Sequence, residues 1–408
     1  MKTITSFLSI SFCVLVTACN KKQQQTVNVP TPEGAPVETK APNTTYKPAF
    51  AGQTRIQGVK TKTPYESKVL TEDLKKPWGI APLPDSRLLI TQKKGTLRIA
   101  DASGKLSEEI TGIPQVNDSG QGGLLGITID PDFTKNRMVY WTFSDKTKDG
   151  NLTAVAKGRL ADDEKTIEKA IVIYRATPAY DGDLHYGSRI LFEKTGNIIF
   201  STGERSDLET RPQAQSLTSS LGKIIRITVD GKPTTENAFA KIPNARPELY
   251  SYGHRNPQGL ALHPVTGDLW ETEMGPRGGD ELNRIVPGKN YGWPTITYGI
   301  EYDGKTIGEG KTQMDAMEQP IYYWDPVASP SGMTFYKGNQ IPEWENNLFI
   351  GGLSSQHIVR LVIENNKVAG EERLLGDKGE RFRDVQQGKD GALYAITDSG
   401  KLYRIAKK

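Results

Sequence analysis

Short apolar runs, turns and returning apolar runs alternate along most of this chain. Each copy of the pattern pairs a β-branched or aromatic run with an antiparallel return, which often ends in Arg-Ile or a similar basic-apolar pair. Six copies occur, at residues 87–99, 136–160, 197–227, 267–285, 347–361 and 391–405. Such pairs are typical of the inner strands of propeller blades. The pattern therefore predicts an all-β fold, a six-bladed β-propeller.

Residues 66–70 precede the first copy and predict a strand that closes the ring by joining the last blade, which would remove exposed strand edges. A two-sheet sandwich is the main alternative, but it does not require six similar hairpins. The 41 Gly and 25 Pro residues agree with many turns and short strands. Two insertions, 207–219 and 296–318, are candidate functional loops because long loops on a rigid β scaffold commonly carry function.

The first nineteen residues read as a processing signal. Lys2 precedes an apolar run at 4–16 that is too short to span a bilayer comfortably, and the sequence Val-Thr-Ala-Cys ends at Cys19. This ending resembles the lipobox of bacterial lipoproteins, in which the signal is cut before a cysteine that becomes lipidated. Cys13 would be lost with the signal, so Cys19 would have no disulfide partner in its own chain. An ordinary secretory signal is the alternative.

The segment 20–62 is rich in Gln, Thr, Pro, Lys and Val without apolar periodicity, and it predicts a disordered linker between the signal at 1–19 and a catalytic propeller at 63–408. A lipidated Cys19 would attach the protein to the periplasmic or cell-surface side of a bacterial membrane, with the outer membrane favoured. The 52 basic and 48 acidic residues nearly balance, so no nucleic-acid partner is expected.

Polar residues of several chemical types are densest in the stretch 251–294. Two short strand-like runs in this stretch are flanked by turns, where sites usually lie. The candidate groups are a cationic and amide pair, a Gly-Pro turn, an acidic pair and an aromatic corner: Arg255 and Asn256, Gly275 and Pro276, Asp280 and Glu281, and Tyr291 to Trp293.

His185 is the candidate general base among the four histidines. It lies in a Gly-rich loop that leads into a strand, and an unperturbed imidazole titrates near neutrality. Glu204 ends the next strand, and a hairpin would bring its carboxylate back to orient that imidazole. A structural His185, with Glu204 paired to Arg205 or Arg189, is the alternative.

The other three histidines have ordinary structural explanations. His357 lies in a run of alternating polarity and is expected on a strand surface. His263 precedes a Pro and a Thr-Gly turn, as in a hairpin loop, and His254 is expected to pack or hydrogen-bond locally.

Six motifs in this order resemble the soluble aldose dehydrogenases of the glucose and sorbosone type. The resemblance covers nearly all of 63–408, and although each motif is weak alone, the ordered set is specific. The motifs are HYGSRILF followed by STGE, SYGHRNPQGLA, EMGPRGGDELN, NYGWP, SPSGM and RFRDV. The family uses pyrroloquinoline quinone (PQQ) on a six-bladed propeller.

The resemblance implies a role for each matching residue. His185 matches the base that removes the proton of the anomeric hydroxyl, and Glu204 matches the carboxylate that supports it. Arg255 also matches a catalytic group, because a guanidinium can polarise a quinone oxygen. The implied PQQ ligands are Gln121, Arg255, Asn256, Tyr302, Arg381 and Arg383. The last two alternate along a strand, so both side chains leave the same face and can bind carboxylates.

The resemblance also implies two calcium sites. The carbonyls of Gly275 and Pro276 match a calcium site at the cofactor, and Glu281 with the carbonyl of Tyr291 matches a second one. The alternative for Glu281 is an ion pair with a neighbouring arginine. The chain departs from the family at Ser354, where a lysine is common, and a hydroxyl cannot neutralise a cofactor carboxylate, so PQQ affinity is expected to be lower.

The resulting prediction is an enzyme that oxidises aldose sugars to lactones with PQQ and calcium and passes electrons to an unidentified acceptor. A calcium-dependent sugar-lactone hydrolase and a propeller that only binds a partner are the alternatives. Three arginines converging on an anionic cofactor favour the dehydrogenase over the hydrolase, and a base at His185 favours it over a propeller that only binds a partner. The sequence leaves the physiological sugar and the choice between monomer and homodimer open.

Overall fold

The computed structural model describes residues 34–408, which form 23 strands, one short α-helix and three 3-10 helices, at Arg211–Gln215, Pro342–Trp344 and Gly376–Lys378. In chain order the strands are β1 (Tyr65–Thr71), β2 (Pro77–Pro82), β3 (Leu88–Gln92), β4 (Thr96–Ala100), β5 (Leu124–Ile129), β6 (Met138–Thr147), β7 (Gly150–Leu160), β8 (Ile167–Arg175), β9 (Ile190–Phe192), β10 (Ile198–Thr202), β11 (Lys223–Ile227), β12 (Leu249–Tyr252), β13 (Pro257–Leu262), β14 (Leu269–Glu273), β15 (Asp280–Ile285), β16 (Tyr322–Trp324), β17 (Pro330–Phe335), β18 (Leu348–Gly352), β19 (Ile358–Glu364), β20 (Lys367–Leu374), β21 (Phe382–Gln387), β22 (Leu393–Thr397) and β23 (Leu402–Lys407). The helix α1 is Phe133–Asn136.

The strands form six antiparallel sheets, which are the six blades of the predicted propeller. Blade 1 is β2-β3-β4, and blades 2 to 5 take the next four groups of four strands in chain order. Blade 6 contains β21, β22, β23 and β1, so the ring closes through the pairing of β1 with β23. The predicted closing strand is confirmed, and the sandwich alternative is wrong.

Apolar side chains are buried between neighbouring blades in six large clusters. One cluster, for example, joins Leu89 of blade 1 to Trp141 of blade 2, and another joins Trp270 of blade 4 to Leu348 of blade 5. Each blade is therefore covered on both faces, and stability is spread around the ring instead of residing in one central core.

The six repeats in the sequence correspond to the second and third strands of each blade, such as β10 and β11. The prediction that they are the inner strands is wrong by one position. The innermost strands are β2, β5, β9, β13, β17 and β21. These are short and often begin with proline or contain glycine, and they are buried on both faces, so they lack the alternation of a half-buried strand.

Residues 34–62, which we call the N-terminal strap, pack against blades 4 and 5. Gly58 forms a bridge to Glu371 of β20, and Ile56 lies in the cluster between these two blades. The prediction of a disordered linker at 20–62 is therefore wrong for the strap, because its polar groups have partners on the propeller. The predicted signal at 1–19, with Cys19, and the linker residues 20–33 lie outside the described residues.

Within residues 34–408, helices are too short to cross a bilayer.

Candidate active site

Most of the predicted functional residues lie at one end of the propeller, which we call the mouth. At the mouth, the innermost strands begin and the second strands end. His185 and Arg255 lie shortly before the innermost strands β9 and β13, whereas Glu204 follows the second strand β10. The antiparallel connectivity of each blade therefore places these separate segments around one centre.

His185 and Glu204 form a buried hydrogen-bonded pair. Nδ1 of His185 lies 2.5 Å from Oε1 of Glu204. The backbone N–H of His185 donates to Oε1 of Gln121 at 3.0 Å, and the backbone N–H of Glu204 donates to the carbonyl of Arg255 at 2.9 Å. The surface pairing of Glu204 with Arg189 is wrong, because Arg189 pairs with Asp384. The site therefore joins segments from blades 2, 3 and 4 through His185 and Glu204.

The pKa of His185 is lowered to about 4, first by burial and then by the positive charge of Arg255, while Glu204 opposes this shift. The imidazole is neutral at physiological pH. Glu204 fixes the proton on Nδ1, which leaves Nε2 as the basic atom, and Nε2 has no hydrogen-bond partner among residues 34–408. The second carboxylate oxygen of Glu204 is buried without a partner in the same part of the chain.

Two glycines allow the chain to pass this close to His185. A Cβ on Gly203 would lie 2.1 Å from the carbonyl oxygen of His185. Gly187 adopts a φ of 64°, in the left-handed region, and its N–H donates to Oδ1 of Asn256 at 3.0 Å. Asn256 thus positions the loop that carries His185, in addition to its predicted contact with cofactor.

The Arg255 guanidinium faces the mouth from blade 4. Its Nη1 donates to the carbonyls of Met274 and Gly275 at 2.9 and 3.1 Å, and its Nη2 lies 3.4 Å from the hydroxyl of Tyr302. It also lies over the Trp293 ring at 5.2 Å. Its buried Nε has no partner among the described residues. Arg255 is therefore held at fixed positions and still has one donor available.

The N–H groups of Arg255 and Asn256 both donate to Oε2 of Glu273, which is buried at the end of β14. His254 reaches Oε1 of the same carboxylate at 3.1 Å. Glu273 thus fixes the backbone of Arg255 and Asn256 and the ring of His254. No sequence signal distinguished this glutamate from others.

A cleft of about 390 Å³ opens at the mouth beside the His185–Glu204 pair. It brings together three predicted cofactor ligands: Gln121, Arg381 and Arg383. The sequence analysis missed most of the other residues around it, which are Lys76, Pro77, Trp78, Lys93, Gly120, Gly122, Gln258, Met274, Ser329, Leu353 and Asp398. Gln121 is shared between the cleft and His185, so the cleft adjoins the candidate base.

Arg381 lies just before β21 and Arg383 lies on this strand. Both pair with Asp398: Nε of Arg381 lies 2.9 Å from Oδ2, and Nε of Arg383 lies 2.8 Å from Oδ1. Arg383 also donates to Gln258 at 3.1 Å. Their side chains are 47 % and 15 % exposed, so Arg383 has the more rigid environment. Asp398 partly offsets the positive charge that the two arginines bring.

Ser354 lies at the rim, where its hydroxyl is 2.6 Å from that of Ser329. Lys76 and Lys93 line the cleft on blade 1. Burial, together with the charge of Lys76, lowers the pKa of Lys93, whose ammonium donates to the carbonyl of Gly120 at 2.6 Å. These two lysines add positive charge to the cleft from blade 1, which adjoins the blade of Arg381 and Arg383.

The Gly275 to Gly279 turn is tightly constrained. The N–H of Gly275 donates to Oδ1 of Asp280 at 2.7 Å, and a Cβ on Gly275 would lie 2.3 Å from the carbonyl oxygen of Gly278. The other oxygen of Asp280 accepts the N–H groups of Ala328 and Ser329 at 2.7 and 2.6 Å. Asp280 thus ties the predicted metal turn to the rim of the cleft. Burial raises its pKa to about 6.

A cluster of acidic side chains is buried behind this turn. Burial, followed by repulsion from Glu273, raises the pKa values of Glu271 and Glu281 well above the ordinary range. Asn283 donates to both, at 3.1 and 3.2 Å. Ligand atoms of His254, Glu271 and Glu273 lie within 4.8 Å of one another. The alternative in which Glu281 pairs with a neighbouring arginine is wrong for Arg284, which pairs with Asp268.

This donor set fits a calcium ion. Oε1 of Glu271 and Oδ1 of Asn283 are buried and have no partner in the described part of the chain. A cavity of about 10 Å³, roughly the space of one ion, is lined by Arg255, Gly275 and Glu281 among others. Calcium binds through oxygen ligands, and both carboxylate and amide oxygens serve this role.

The four predicted metal ligands do not all line this small cavity. Gly275 and Glu281 share the small cavity, but Pro276 and Tyr291 are not among the residues that line it. The Tyr291 hydroxyl donates to the carbonyl of Arg284 at 2.7 Å, and its ring stacks on His254. The Gly275 carbonyl accepts a hydrogen bond from Nη1 of Arg255. Glu271 and Glu273, which the sequence analysis did not select, are the additional oxygen donors.

The two predicted functional loops meet at the mouth. Arg211, in the first insertion, forms an ion pair with Glu301 in the second and lies over the Trp293 ring at 5.2 Å. Tyr302, which follows Glu301, is 69 % exposed. The loops therefore form one wall of the site.

The remaining histidines are structural. His254 bonds locally as expected, with Nε2 2.8 Å from the Ser251 hydroxyl. Nδ1 of His263 accepts N–H groups of the following turn. The surface position predicted for His357 is wrong, because its ring is buried and bonds to the Ser355 carbonyl at 2.8 Å.

Comparison with known proteins identifies relatives that span the whole propeller. The profile of the family described as Glucose / Sorbosone dehydrogenase matches residues 74–404. Aldose sugar dehydrogenase YliI of Escherichia coli (strain K12) is 41 % identical over 346 residues, which cover 84 % of this chain and 92 % of that protein.

Two solved structures show the same architecture. The apo form of the soluble aldose sugar dehydrogenase from Escherichia coli superposes with a TM-score of 0.81 at 39 % identity, covering 85 % of this chain and 100 % of that one. The PQQ-bound aldose sugar dehydrogenase from Streptomyces coelicolor gives a TM-score of 0.70 at 29 % identity, covering 85 % of this chain and 99 % of that one.

Proposed function

Because this chain belongs to the Glucose / Sorbosone dehydrogenase family, we propose that it oxidises the anomeric carbon of aldose sugars to lactones, with PQQ as the acceptor. The observation that carries the proposal is the buried His185–Glu204 pair beside a cleft with two arginines. When bound, PQQ supplies an acceptor for a hydride. An unidentified partner would then take up the electrons.

The residues of this chain supply the proton chemistry. Nε2 of His185 removes the proton of the anomeric hydroxyl, while the hydrogen on the same carbon leaves with its electron pair, so the carbon becomes the carbonyl of a lactone. Neutral His185 is ready for this step because its pKa is lowered. Glu204 orients the ring and stabilises the imidazolium that forms.

The charge of the cleft fits a ligand with several carboxylates. Arg381 and Arg383 line it together with Lys76 and Lys93 of the neighbouring blade, and Gln121 adds a polar contact. Arg255 has a buried Nε without a partner among the described residues, and its guanidinium would stabilise negative charge on a bound quinone. Asn256 and Tyr302 complete the proposed ligand set, and Ser354 contributes only a hydroxyl.

We also propose that calcium binds at the acidic cluster and the Gly275–Pro276 turn. Glu271, Glu273 and Glu281 would hold the ion, and the Gly275, Pro276 and Tyr291 carbonyls are further candidate ligands. Calcium would neutralise the repulsion among the buried carboxylates and so stabilise the segment that carries Arg255.

For the cellular location, we propose that Cys19 is lipidated and anchors the enzyme on the extracytoplasmic side of a bacterial membrane. The support is the sequence alone: small residues precede Cys19, and a polar segment follows it.

The function is tested by titrating purified protein with PQQ, with and without calcium, while recording absorption spectra. Glucose or another aldose is then added with a reducible dye. We expect saturable PQQ binding and sugar-dependent dye reduction. Protein that binds no PQQ in either condition would contradict the proposal and favour the lactone hydrolase or the partner-binding propeller.

A further inference from the structure

The N-terminal strap lies outside residues 74–404, which the family profile matches, yet it contacts the segment behind the active site. It is fastened to the propeller by a repeated device in which a threonine donates both its N–H and its hydroxyl to one carboxylate. Thr44 binds Asp325 in this way, Thr61 binds Glu372, and Thr63, just beyond the strap, binds Glu343.

The contact at Asp325 is the most extensive of the three. Asn43 donates its N–H and its Nδ2 to Oδ1 at 2.8 and 2.9 Å, and Thr44 donates its N–H and hydroxyl to Oδ2 at 3.0 and 3.0 Å. Arg55 of the strap donates to the backbone carbonyl of Asp325 at 2.7 Å. The buried carboxylate of Asp325 is thus satisfied by the strap.

Asp325 also packs directly against the Gly275–Gly279 turn. A Cβ added to Gly278 would lie 2.8 Å from Oδ1 of Asp325. The N–H of Gly279 donates to the carbonyl of Trp324, the residue before Asp325, at 2.9 Å. Oδ1 of Asn43 lies 3.4 Å from Nε of Arg277 in the turn itself. The turn is therefore held between Asp280 on one side and the strap with Asp325 on the other.

We propose that Asn43 and Thr44 are positioning residues of the active site. Through Asp325 they hold the Gly275–Gly279 turn in the conformation that binds cofactor and metal, so the strap is a functional part of the enzyme. This inference rests on the proposed function for its effect on PQQ, but its effect on the turn is independent of any ligand. Loss of the strap contact would leave Asp325 buried with fewer donors and free the turn to move.

The test compares two double variants of the full chain. In Asn43→Ala/Thr44→Ala, two side-chain donors to Asp325 are lost. In the control Thr61→Ala/Thr63→Ala, two threonine hydroxyls that donate to Glu372 and Glu343 are lost; Glu343 lies on the β17–β18 connection, at the end of the propeller opposite the mouth. Both variants weaken the attachment of the N-terminal segment, but only the first touches the turn.

We expect the Asn43/Thr44 variant to raise the Kd for PQQ on the order of tenfold. The control is expected to lose comparable thermal stability with a Kd within about twofold of the unmodified protein. Thr44→Ser keeps the hydroxyl and should bind PQQ normally. Equal Kd values for the two double variants would overturn the proposal.

Hydrogen exchange on the cofactor-free protein separates this inference from the proposed function. Faster exchange of the Gly275 and Gly279 amides in the Asn43/Thr44 variant, but not in the control, supports the strap's role even if the unmodified protein binds no PQQ. Unchanged exchange at both amides overturns it, whatever the enzyme's activity.

Discussion

Nδ1 of His185 lies 2.5 Å from Oε1 of Glu204, and both side chains are buried. Burial lowers the pKa of His185, the positive charge of Arg255 lowers it further, and Glu204 only partly compensates. The pair therefore contains a neutral imidazole beside a carboxylate that can stabilise its protonated form. The imidazole is therefore free to accept a proton at neutral pH, and Glu204 offsets part of the cost of its protonated form.

The first prediction is that His185 titrates near pH 4 in the cofactor-free protein, well below the ordinary value of 6.5. Since the unfolded chain takes up this proton below pH 6.5 and the folded chain does not, the protein should lose stability as pH falls from 6.5 towards 4. NMR titration of the histidine rings, with His185→Ala to assign the signal, measures it. Burial also lowers the pKa of His357 to about 4, so a second ring is expected to titrate in this range. A His185 midpoint between pH 6 and 7 would refute the buried, neutral base.

The second prediction is that His185→Ala loses sugar oxidation but retains PQQ. A general base lowers the barrier of the chemical step by a factor of about 100 or more and contributes little to holding a cofactor with several carboxylates. Turnover and PQQ affinity are measured on the same preparation. His263→Ala is the matched control, because His263 lies on the β13–β14 connection at the opposite end of the propeller. Near-normal turnover of His185→Ala would mean that another residue is the general base, and Glu204 would be the next candidate.

The third prediction is that Arg383→Ala weakens PQQ binding more than Arg381→Ala. Each lost charge-assisted hydrogen bond costs about 1.5 to 3 kcal/mol, and the cost is smaller where solvent screens the charge. The Arg383 side chain is 15 % exposed and that of Arg381 is 47 % exposed. Isothermal titration gives both affinities.

Arg404→Ala is the control for this comparison. Arg404 is on the same blade and pairs with Asp390 on the β21–β22 connection, away from the mouth. It should leave PQQ affinity unchanged. The assignment of the cleft would be wrong if Arg383→Ala and Arg404→Ala bound PQQ equally well.

The blade count was predictable because the second and third strands of every blade combine apolar runs with a turn. The innermost strands were not recognised. β2 and β13 begin with proline, contain glycine and are buried on both faces, so neither period nor composition marks them as strands. The strap was missed for a different reason: Asn43 finds its partner at Asp325, 282 residues away, and no local pattern encodes that contact.

The candidate site was predictable where motif and hairpin geometry agreed, as for His185 and Glu204. Trp78, Lys93 and Asp398 follow no motif, and they reach the cleft only because the ends of several strands converge at the mouth. Asp398 also changes the interpretation of Arg381 and Arg383, which are paired with it instead of free. Such pairing depends on the ring closure and cannot be read from one segment.

The fourth prediction concerns attachment to the membrane. Cys19→Ser should abolish lipidation, and the protein should then be released into the soluble extracytoplasmic fraction or remain unprocessed. Cys13→Ser is the control, because a change within the removed signal should leave the mature protein attached. Fractionation and mass analysis distinguish the forms. If Cys19→Ser fractionated and matured as the unmodified chain does, the lipoprotein proposal would be wrong.

The fifth prediction is that calcium and PQQ binding are coupled. Chelation should lower both the melting temperature and the affinity for PQQ, and added calcium should restore the two together, because a ligand that binds only the folded state stabilises it. Glu281→Gln should reduce the stabilisation by calcium, because it removes a carboxylate ligand. It should not destabilise the chelated protein, because burial and repulsion from Glu273 already disfavour the charged form of Glu281. Glu371→Gln is the control, because Glu371 is also buried but forms hydrogen bonds with Arg373 and Tyr322. It should destabilise the protein and leave the calcium response intact. Melting temperatures and PQQ affinities that are indifferent to calcium would exclude the metal from this cluster.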